Sequence, residues 1–373
     1  MKVHRSSKCS LKFITAAKQK RLELVLAEYG KVVNFFIKEF WEDCPNYQAL
    51  LKPIVDLPET WLSARLRKVA AREAIGMIQA RRKRSGDKAV TRPTHQGRTM
   101  SVSSTIAELQ EPKTEDSEFD AWLHLSSIGN RTIIDLPIRF HKHYNELAER
   151  GKRLNSYVIT PDYVQFTFEV ETGPKKAEGK AVGLDTGMKK LASLSDGTFF
   201  GTEMWSLLEK LDRCKYGSNG YRRVKRHIKQ RMDECAKEVF RSTPNLSLLV
   251  VEKLQNLNYK LKQRRRLCSK MRRFIGSWAW RYWLDRLQML CEENRVRFRS
   301  VWPAYTSQTC PACGLVDKRN RKGEMFRCQN PECDYAGDAD SVASENILNR
   351  FLSGPYGARF KPLDLDNGTF VYR

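Results

Sequence analysis

Four cysteines near the carboxyl end of the sequence constrain the fold more than any other feature. Two residues separate Cys310 from Cys313, four separate Cys328 from Cys333, and fourteen lie between the two pairs. Each short spacing lets a tight turn direct two thiolates at one point, and two such turns complete the tetrahedral shell that zinc prefers. A segment this small cannot bury a core, so a bound metal would supply its folding free energy. We therefore expect a Cys₄ zinc ribbon over residues 305–336, with disulfides or free thiols as the alternatives.

This zinc is expected to be structural, because a closed Cys₄ shell leaves no coordination position for a substrate. The loop between the cysteine pairs, "DKRNRKGEMFR", is basic and is expected to reach a phosphate backbone. The remaining cysteines are scattered, and we expect them to behave as inert small hydrophobic residues; they are Cys9, Cys44, Cys214, Cys235, Cys268 and Cys291.

The charge balance points to a polyanionic partner. The 373 residues include 67 Lys and Arg against 43 Asp and Glu, a net charge of +24. A surplus of this size favours nucleic acid over a merely solvated basic surface. The opening "MKVHRSSKCSLKF" lacks the apolar segment of a signal peptide, and no apolar run approaches the ~18 residues of a membrane helix. We expect an intracellular protein with no membrane partner, and its thiols should therefore stay reduced.

Two dense basic runs are candidates for nucleic-acid contact, with a solvated helix face as the alternative. The run "KQRRRLCSKMRR" has seven basic residues in twelve, and "RRVKRHIKQR" is expected to follow one helix. The candidate residues are Arg222, Arg223, Lys225, Arg226, Lys229, Lys262, Arg264, Arg265, Arg266, Lys270, Arg272 and Arg273. The nearby tryptophans Trp278, Trp280 and Trp283 are expected in the core rather than on a base-stacking surface.

Three carboxylates occupy positions where a charge is costly unless it is paired or binds a metal. Asp185 ends the apolar strand in "AVGLD", Glu252 ends the buried run "SLLVVE", and Asp340 opens the final amphipathic helix. Asp338 competes with Asp340 for the third position, and the alternative for it is a helix cap. Hard oxygen ligands of this kind suit Mg²⁺ or Mn²⁺, and two such ions can cleave a phosphodiester.

The order of the predicted helices and strands supports a shared role for these three carboxylates. The pattern predicts strand–hairpin–strand from 180 to 201, helices over 203–241 broken at "YGSNGY", a buried strand, one long helix over 274–294, another strand, and the last helix. That order is the ribonuclease H-type nuclease fold, in which the three carboxylates converge on one edge of the sheet. Upstream, a strand and two helices (about 15–42 and 59–84) precede strand-rich sequence from 98 to 171 that suggests a small barrel.

The chain resembles the transposon-encoded TnpB family of RNA-guided nucleases, relatives of the compact type V CRISPR effectors. "VGLDTG" and "LLVVEKL" match the first two RuvC-type motifs of that family, and "YTSQTCPACG", "FRCQNPEC" and "DADSVASENIL" match its zinc-ribbon and third-motif block. The resemblance is specific over about 180–350 and architectural upstream. It implies that Asp185, Glu252 and Asp340 are the catalytic, Mg²⁺- or Mn²⁺-binding residues.

The resemblance also implies the domain plan and the partners. An α/β fold is expected with an RNase H-like (RuvC) nuclease domain at 176–304 and 337–373, a zinc ribbon at 305–336, a wedge-type β-barrel at 1–14 and 98–175, and a helical recognition insertion at 15–97. A guide RNA would pair with one strand of target double-stranded DNA beside a short flanking motif. The resemblance also implies a monomer rather than a homodimer, in the cytoplasm of a prokaryotic cell and associated with the nucleoid. One departure stands out: the family usually has Asn-Ala-Ala where Val342, Ala343 and Ser344 stand here, and the lost amide would remove a hydrogen bond behind the site.

Three other functions fit parts of this pattern. A miniature CRISPR effector of the same lineage would differ by a neighbouring repeat array. A guide-directed DNA-binding repressor would bind its target without cleaving it. A strand-joining transposase would carry out strand transfer in vitro.

Overall fold

The computed structural model describes residues 2–85, 91–112, 116–254, 268–353, 363–365 and 369–371. The chain divides into two compact units, residues 1–171 and 172–373. No helix in these ranges combines the length and the apolar character needed to cross a bilayer.

The strands of the N-terminal unit form two antiparallel sheets. One has the order β1-β7-β6-β2 and the other β3-β4-β5. Alternate residues of β1 face the core, as expected for a sheet with one wet face. Whether the two sheets close into the expected barrel stays a prediction. The strand ranges are β1 (Lys2–Ser10), β2 (Met100–Ser103), β3 (Ala107–Gln110), β4 (Ala121–Leu125), β5 (Ile134–Ile138), β6 (Gly151–Ile159) and β7 (Tyr163–Glu171).

Two long helices of this unit lie where the apolar periodicity predicts them. They pack on each other, and the Tyr29 hydroxyl of the first donates to Glu73 Oε2 of the second at 2.8 Å. The Thr15 side chain caps the first helix by accepting from the Lys18 N–H. The assignment of these helices to a recognition insertion stays a prediction. The helix ranges are α1 (Ala16–Glu39), α2 (Lys52–Val55), α3 (Ala64–Ser85) and α4 (Lys142–Arg150).

A five-stranded sheet of order β10-β9-β8-β11-β12 organises the C-terminal unit. Strands β8 (Lys180–Asp185), β11 (Leu246–Glu252) and β12 (Arg297–Val301) run parallel, with β11 between the other two. Strands β9 (Ala192–Leu194) and β10 (Phe199–Phe200) continue the sheet from β8 in antiparallel pairing.

Helices cover both faces of this sheet, which explains the uninterrupted apolar sequence of β11. Leu249 and Val251 face a core shared with α6 and α8, whereas Leu248 and Val250 pack with Ile347 of α9. Further helices complete the unit. The ranges are α5 (Met204–Asp212), α6 (Asn219–Ser242), α7 (Ser269–Ser277), α8 (Trp280–Glu293) and α9 (Ala339–Ser353).

The long helix expected over 274–294 is wrong, because α7 and α8 are separate. Trp278 is extended, with φ −69° and ψ 118°, and ends α7. In one continuous helix Trp278 and Trp280 would point about 160° apart. The break lets both tryptophans enter the core, at 7% and 9% exposure, and Trp283 is fully buried. The three tryptophans are therefore core residues, as expected.

Short strands form the remaining structure near the C-terminus. One sheet has the order β14-β15-β16 and another β13-β18-β17. The ranges are β13 (Leu315–Val316), β14 (Arg321–Lys322), β15 (Met325–Arg327), β16 (Ala336–Asp338), β17 (Leu363–Leu365) and β18 (Thr369–Val371). Of the scattered cysteines, Cys9, Cys235 and Cys291 are buried, and Cys44 and Cys214 are half-buried. Cys268 is exposed, so the expectation of burial is wrong there: it precedes α7 outside the apolar stripe.

Candidate functional site

The first two predicted carboxylates stand side by side at the end of the parallel sheet. The register of β8 and β11 pairs Leu184 with Val251, and the next residues of the two strands are Asp185 and Glu252. Adjacent strands lie ≈ 4.8 Å apart, so this register alone makes the two side chains neighbours. The residues just before Asp185 and Glu252 are buried and apolar because helices cover both faces of the sheet, and each carboxylate stands where its strand leaves the core.

A glycine lets the helix that carries the third carboxylate approach the same strand. A Cβ on Gly183 would lie 2.1 Å from the carbonyl oxygen of Ser344 in α9, closer than any real contact. Only glycine therefore permits α9 to lie on β8 at this distance. Because α9 begins at Ala339, its first turn, with Asp340, lies near the end of β8.

The neighbouring carboxylate Asp338 has a different role. Its Oδ1 accepts from the backbone N–H of Asp340 at 3.0 Å and of Ser341 at 3.1 Å. These are the N–H groups that have no partner inside a helix, so Asp338 caps α9. Its Oδ2 accepts from Lys190 Nζ at 2.6 Å. Partial burial raises the pKa of Asp338, but these donors outweigh it and lower the pKa below its ordinary value.

Burial and mutual repulsion perturb the two strand-end carboxylates. Burial raises the pKa of Asp185 to about 8, and the charges of Glu252 and Asp340 add to the effect. Burial likewise raises the pKa of Glu252, against the opposing hydrogen bond from Thr306. Carboxylic acids that hold their protons because of burial and nearby like charges are typical of functional sites. Asp185 is thus close enough to both Glu252 and Asp340 to interact with their charges.

Two cations that the sequence reasoning missed contact Asp340. Arg321 Nη2 donates to Asp340 Oδ1 at 2.9 Å, and Lys190 Nζ lies 3.5 Å from Asp340 Oδ2. Lys190 also lies over the ring of Phe199, 4.1 Å from its centroid. Arg321 belongs to the basic loop that was expected to reach phosphate, but no signal in that loop distinguishes it from its neighbours. Lys190 follows the turn after β8 and carries no distinguishing pattern either.

The three carboxylates each have their own hydrogen-bond partner rather than forming one tight cage. Asp185 Oδ1 accepts from the Thr186 N–H at 2.9 Å, and Glu252 Oε1 accepts from the Thr306 hydroxyl at 2.5 Å. In the part of the chain that the structure describes, their oxygens do not all come within 4.8 Å of one another.

The four ribbon cysteines do form one compact cluster. Their sulfurs all lie within 4.8 Å of one another, with 3.8 Å between Cys310 and Cys333 and 3.5 Å between Cys313 and Cys328. Thiolates ≈ 2.3 Å from a tetrahedral zinc are separated by about 3.8 Å, so the cluster fits such an ion. All ten cysteines are free thiols, so the disulfide alternative is not formed.

The ribbon and α9 share a small apolar core. Val342, at the position where the family usually has Asn, is fully buried with Phe326, Ala339, Cys310 and Cys328. The side chain at this position thus packs against two cysteines of the cluster. Sequence reasoning did not anticipate this packing, because the apolar partners are remote along the chain.

The buried Asn320 joins the two cysteine turns. Its Nδ2 donates to the carbonyl oxygens of Gln308 and Leu315, at 2.8 and 3.1 Å, and its Oδ1 accepts from the Gln329 N–H at 2.9 Å. A buried amide with every bond satisfied rigidifies the loop it spans. Asparagine in a basic loop gives no sequence signal of this role.

The predicted nucleic-acid contacts divide into three groups. Those on α6 are exposed on the face opposite its buried stripe and line a surface depression of ≈ 670 Å³: Arg222, Arg223, Lys225, Arg226 and Lys229. Lys270 and Arg273 are ion-paired with Glu209 and Asp212 of α5. The remaining predictions lie outside the described residues (Lys262, Arg264, Arg265 and Arg266) or concern a side chain that is not described (Arg272).

Comparison with known proteins finds similar sequences and folds. The family model described as "Cas12f1-like, TNB domain" matches residues 280–347, from α8 through the cysteine cluster into α9. The chain is 31% identical over 213 residues to the putative RNA-guided DNA endonuclease InsQ of Escherichia coli K12. This alignment covers 50% of this chain and 52% of InsQ. It is 34% identical over 76 residues to the CRISPR-associated endodeoxyribonuclease Cas12f1 of Sulfoacidibacillus thermotolerans, covering 20% of this chain and 18% of that one. The chain thus spans about half the length of InsQ and less of Cas12f1.

The fold has a counterpart among solved structures. In the cryo-EM structure of a Cas12f1–sgRNA–target DNA complex, the Cas12f1 chain matches with a TM-score of 0.54 and 11% identity, covering 90% of this chain and 83% of that one. At this identity the likeness concerns the fold alone. The sequence matches, by contrast, identify this chain as a member of the family of TnpB proteins and compact type V effectors.

Proposed function

We propose that this protein is an RNA-guided DNA endonuclease with one RuvC-type site in an RNase H-like domain. The observation that carries the proposal is the electrostatic coupling of Asp185, Glu252 and Asp340, which come from two adjacent strand ends and one helix. A buried charge cluster of this kind costs folding free energy, and metal-dependent catalysis gives a reason to keep it. The naming of InsQ and Cas12f1 as endonucleases supports the same reaction class.

In this proposal Asp185, Glu252 and Asp340 hold Mg²⁺ or Mn²⁺, and the four cysteines hold a structural Zn²⁺. The oxygen donors suit the hard ions, and the sulfur cluster suits zinc. Bound divalent ions activate water and stabilise the leaving oxygen in phosphodiester hydrolysis. Asp185 must lose its proton before its carboxylate can act as a ligand. Arg321 and Lys190 fix Asp340 and supply positive charge where a DNA phosphate would arrive.

The partners in this proposal are a guide RNA and target double-stranded DNA with a short flanking motif. The exposed basic face of α6 would hold a phosphate backbone. The helices and sheets of the N-terminal unit would contact the guide and the flanking motif. The protein would act as a monomer in the cytoplasm, near the nucleoid, and its single site would cut the displaced strand and then the paired strand.

The test has two parts, performed on the complex that forms in cells. RNA that co-purifies with the chain is sequenced, and a variable 3′ segment that matches a DNA target is expected. Plasmid carrying that target is then incubated with the complex in Mg²⁺ or Mn²⁺. Linear product that depends on the matching segment is expected. Guided binding without any nicking would favour the repressor, and strand transfer would favour the transposase.

A further inference from the structure

A buried threonine hydroxyl holds one oxygen of Glu252. Thr306 is 3% exposed, and its Oγ1 lies 2.5 Å from Glu252 Oε1 and 3.2 Å from the carbonyl oxygen of Pro303. A hydroxyl has one hydrogen, and both neighbours are acceptors. The shorter distance and the greater acceptor strength of a carboxylate assign that hydrogen to Glu252. Glu252 Oε1 is therefore occupied on one side, and its side-chain torsions are restricted.

Thr306 is itself held by an amide on the helix that carries Asp340. The side chain of Asn346 is buried, and its Nδ2 donates to the carbonyl oxygens of Thr306 at 2.8 Å and Thr309 at 2.7 Å. Both hydrogens of the amide are thereby used on one turn, which leads directly into Cys310. A single helix thus contributes Asp340 to the site and fixes the backbone of the turn that restrains Glu252.

We propose that Thr306, fixed by Asn346, is a positioning residue that sets the orientation in which Glu252 meets a divalent ion. This inference rests on the proposed function. Threonine is needed for its hydroxyl, because a carboxylate freed from this bond would turn among several orientations and bind an ion more weakly. Groups that orient a metal-binding side chain typically contribute 10–100-fold to metal affinity.

The test compares three variants of the RNA-bound protein. Thr306→Val keeps the shape and removes the hydroxyl, whereas Thr306→Ser keeps the hydroxyl and removes a methyl group. Thr309→Val is the matched control, because Thr309 is buried in the same turn and its hydroxyl donates to the carbonyl of Tyr305 at 2.8 Å, away from any carboxylate. Mn²⁺ binding is measured directly by electron paramagnetic resonance, and zinc content confirms that the ribbon is intact.

Thr306→Val is expected to weaken Mn²⁺ binding by about tenfold and to raise the Mn²⁺ concentration for half-maximal cleavage by a similar factor. Thr306→Ser and Thr309→Val are expected to stay within about twofold of the wild type. Should the valine variant not fold, the serine variant still decides: a tenfold loss there would mean that methyl packing, not the hydroxyl, holds Glu252.

The inference fails alone if the wild type binds Mn²⁺ and cleaves while Thr306→Val is indistinguishable from it, or if Thr309→Val weakens Mn²⁺ binding equally. A wild-type complex that neither binds Mn²⁺ nor cleaves its target would overturn the proposed function, and this inference with it.

Discussion

Asp338 and Asp340, with one residue between them, have the same side chain but different roles because their surroundings differ. Asp338 accepts from two backbone N–H groups and Lys190, which stabilises its charge. Asp340 has no such backbone bonds among those described and faces Arg321 and the strand-end carboxylates. Asp338 is therefore a helix cap, whereas the charge of Asp340 helps to raise the pKa of Asp185. Their order in the sequence leaves both roles open, because either residue could begin the helix.

The raised pKa of Asp185 predicts a pH-dependent cost to stability in the absence of Mg²⁺ and Mn²⁺. The pKa rises from 3.8 to about 8 on folding, so between these values the native state keeps a proton that the unfolded chain releases. The free energy of unfolding therefore falls as the pH rises, and the loss is complete above about pH 8.

The substitution Asp185→Asn, which mimics the protonated form, should raise the melting temperature at pH 8 and raise it much less at pH 5. The gain should be roughly 2–4 °C per kcal/mol of relieved burial cost and repulsion, measured by scanning calorimetry. Asp338→Asn is the control of opposite sign, because the pKa of Asp338 is lowered and its charge stabilises the native state. A gain for Asp185→Asn that does not grow with pH would contradict the assigned cause.

The sequence identified the three carboxylates because each ends an apolar run or begins a helix, where a charge is conspicuous. It did not identify Lys190, Arg321, Thr306 or Asn346. Lys190 and Thr306 lie in turns, Arg321 lies in the short strand β14 and Asn346 lies in α9, and a polar residue is ordinary at each of these places. Their significance comes only from tertiary contacts, which no local pattern encodes.

At the scale of elements, the contact of α9 with β8 brings Asp340 to the site. Gly183→Ala would place a methyl group against the Ser344 carbonyl, and neither backbone can yield without moving the helix. We expect the free energy of unfolding to fall by about 1–3 kcal/mol, and we expect cleavage to decrease. Gly276→Ala is the control, since nothing lies within 4 Å of a Cβ there and alanine favours α7. Thermal unfolding and plasmid cleavage measure both effects, and full activity of Gly183→Ala would refute this account of the packing.

The cysteine cluster predicts one zinc per chain. Cys313→Ser should lose that zinc and unfold the ribbon, because the segment has only a small apolar core of its own. Cleavage should then fall to background, since Thr306 and Arg321 depend on the ribbon and its entry turn. Cys235→Ala, which changes a buried cysteine of α6, should keep its zinc. Elemental analysis by mass spectrometry distinguishes these outcomes, and a zinc-free wild type that cleaves would contradict the prediction.

The elements themselves were largely predictable, and the exceptions have physical reasons. Apolar periodicity located α1, α3 and α9, and the uninterrupted run of β11 indicated a strand covered on both faces. The break between α7 and α8 was missed because the stripe of apolar residues continues across it. Its cause is the burial of Trp278 and Trp280 together, which is a tertiary requirement.

At the scale of the whole molecule, the net charge of +24 predicts salt-sensitive binding to nucleic acid. Replacing Arg222, Arg223 and Arg226 of α6 together by Gln should weaken binding to an RNA–DNA duplex and reduce the slope of log affinity against log salt by about 2–3. Arg231→Gln is the control on the same helix, because Arg231 is paired with Glu203 and Glu234. It should lower stability and leave the slope unchanged. Fluorescence anisotropy over a salt series gives the slopes, and equal slopes for wild type and triple variant would exclude α6 as a contact.

The central claim is that three remote carboxylates form one metal-dependent nuclease site, and cleavage of a guide-matched plasmid by single variants tests it most directly. The RNA-loaded wild type should linearise the plasmid in Mg²⁺ or Mn²⁺. Asp185→Asn, Glu252→Gln and Asp340→Asn should each reduce cleavage to background while guided binding persists. Asp338→Asn, which preserves a capping side chain, should retain cleavage within about tenfold. Undiminished cleavage by Asp185→Asn or Asp340→Asn would contradict the account.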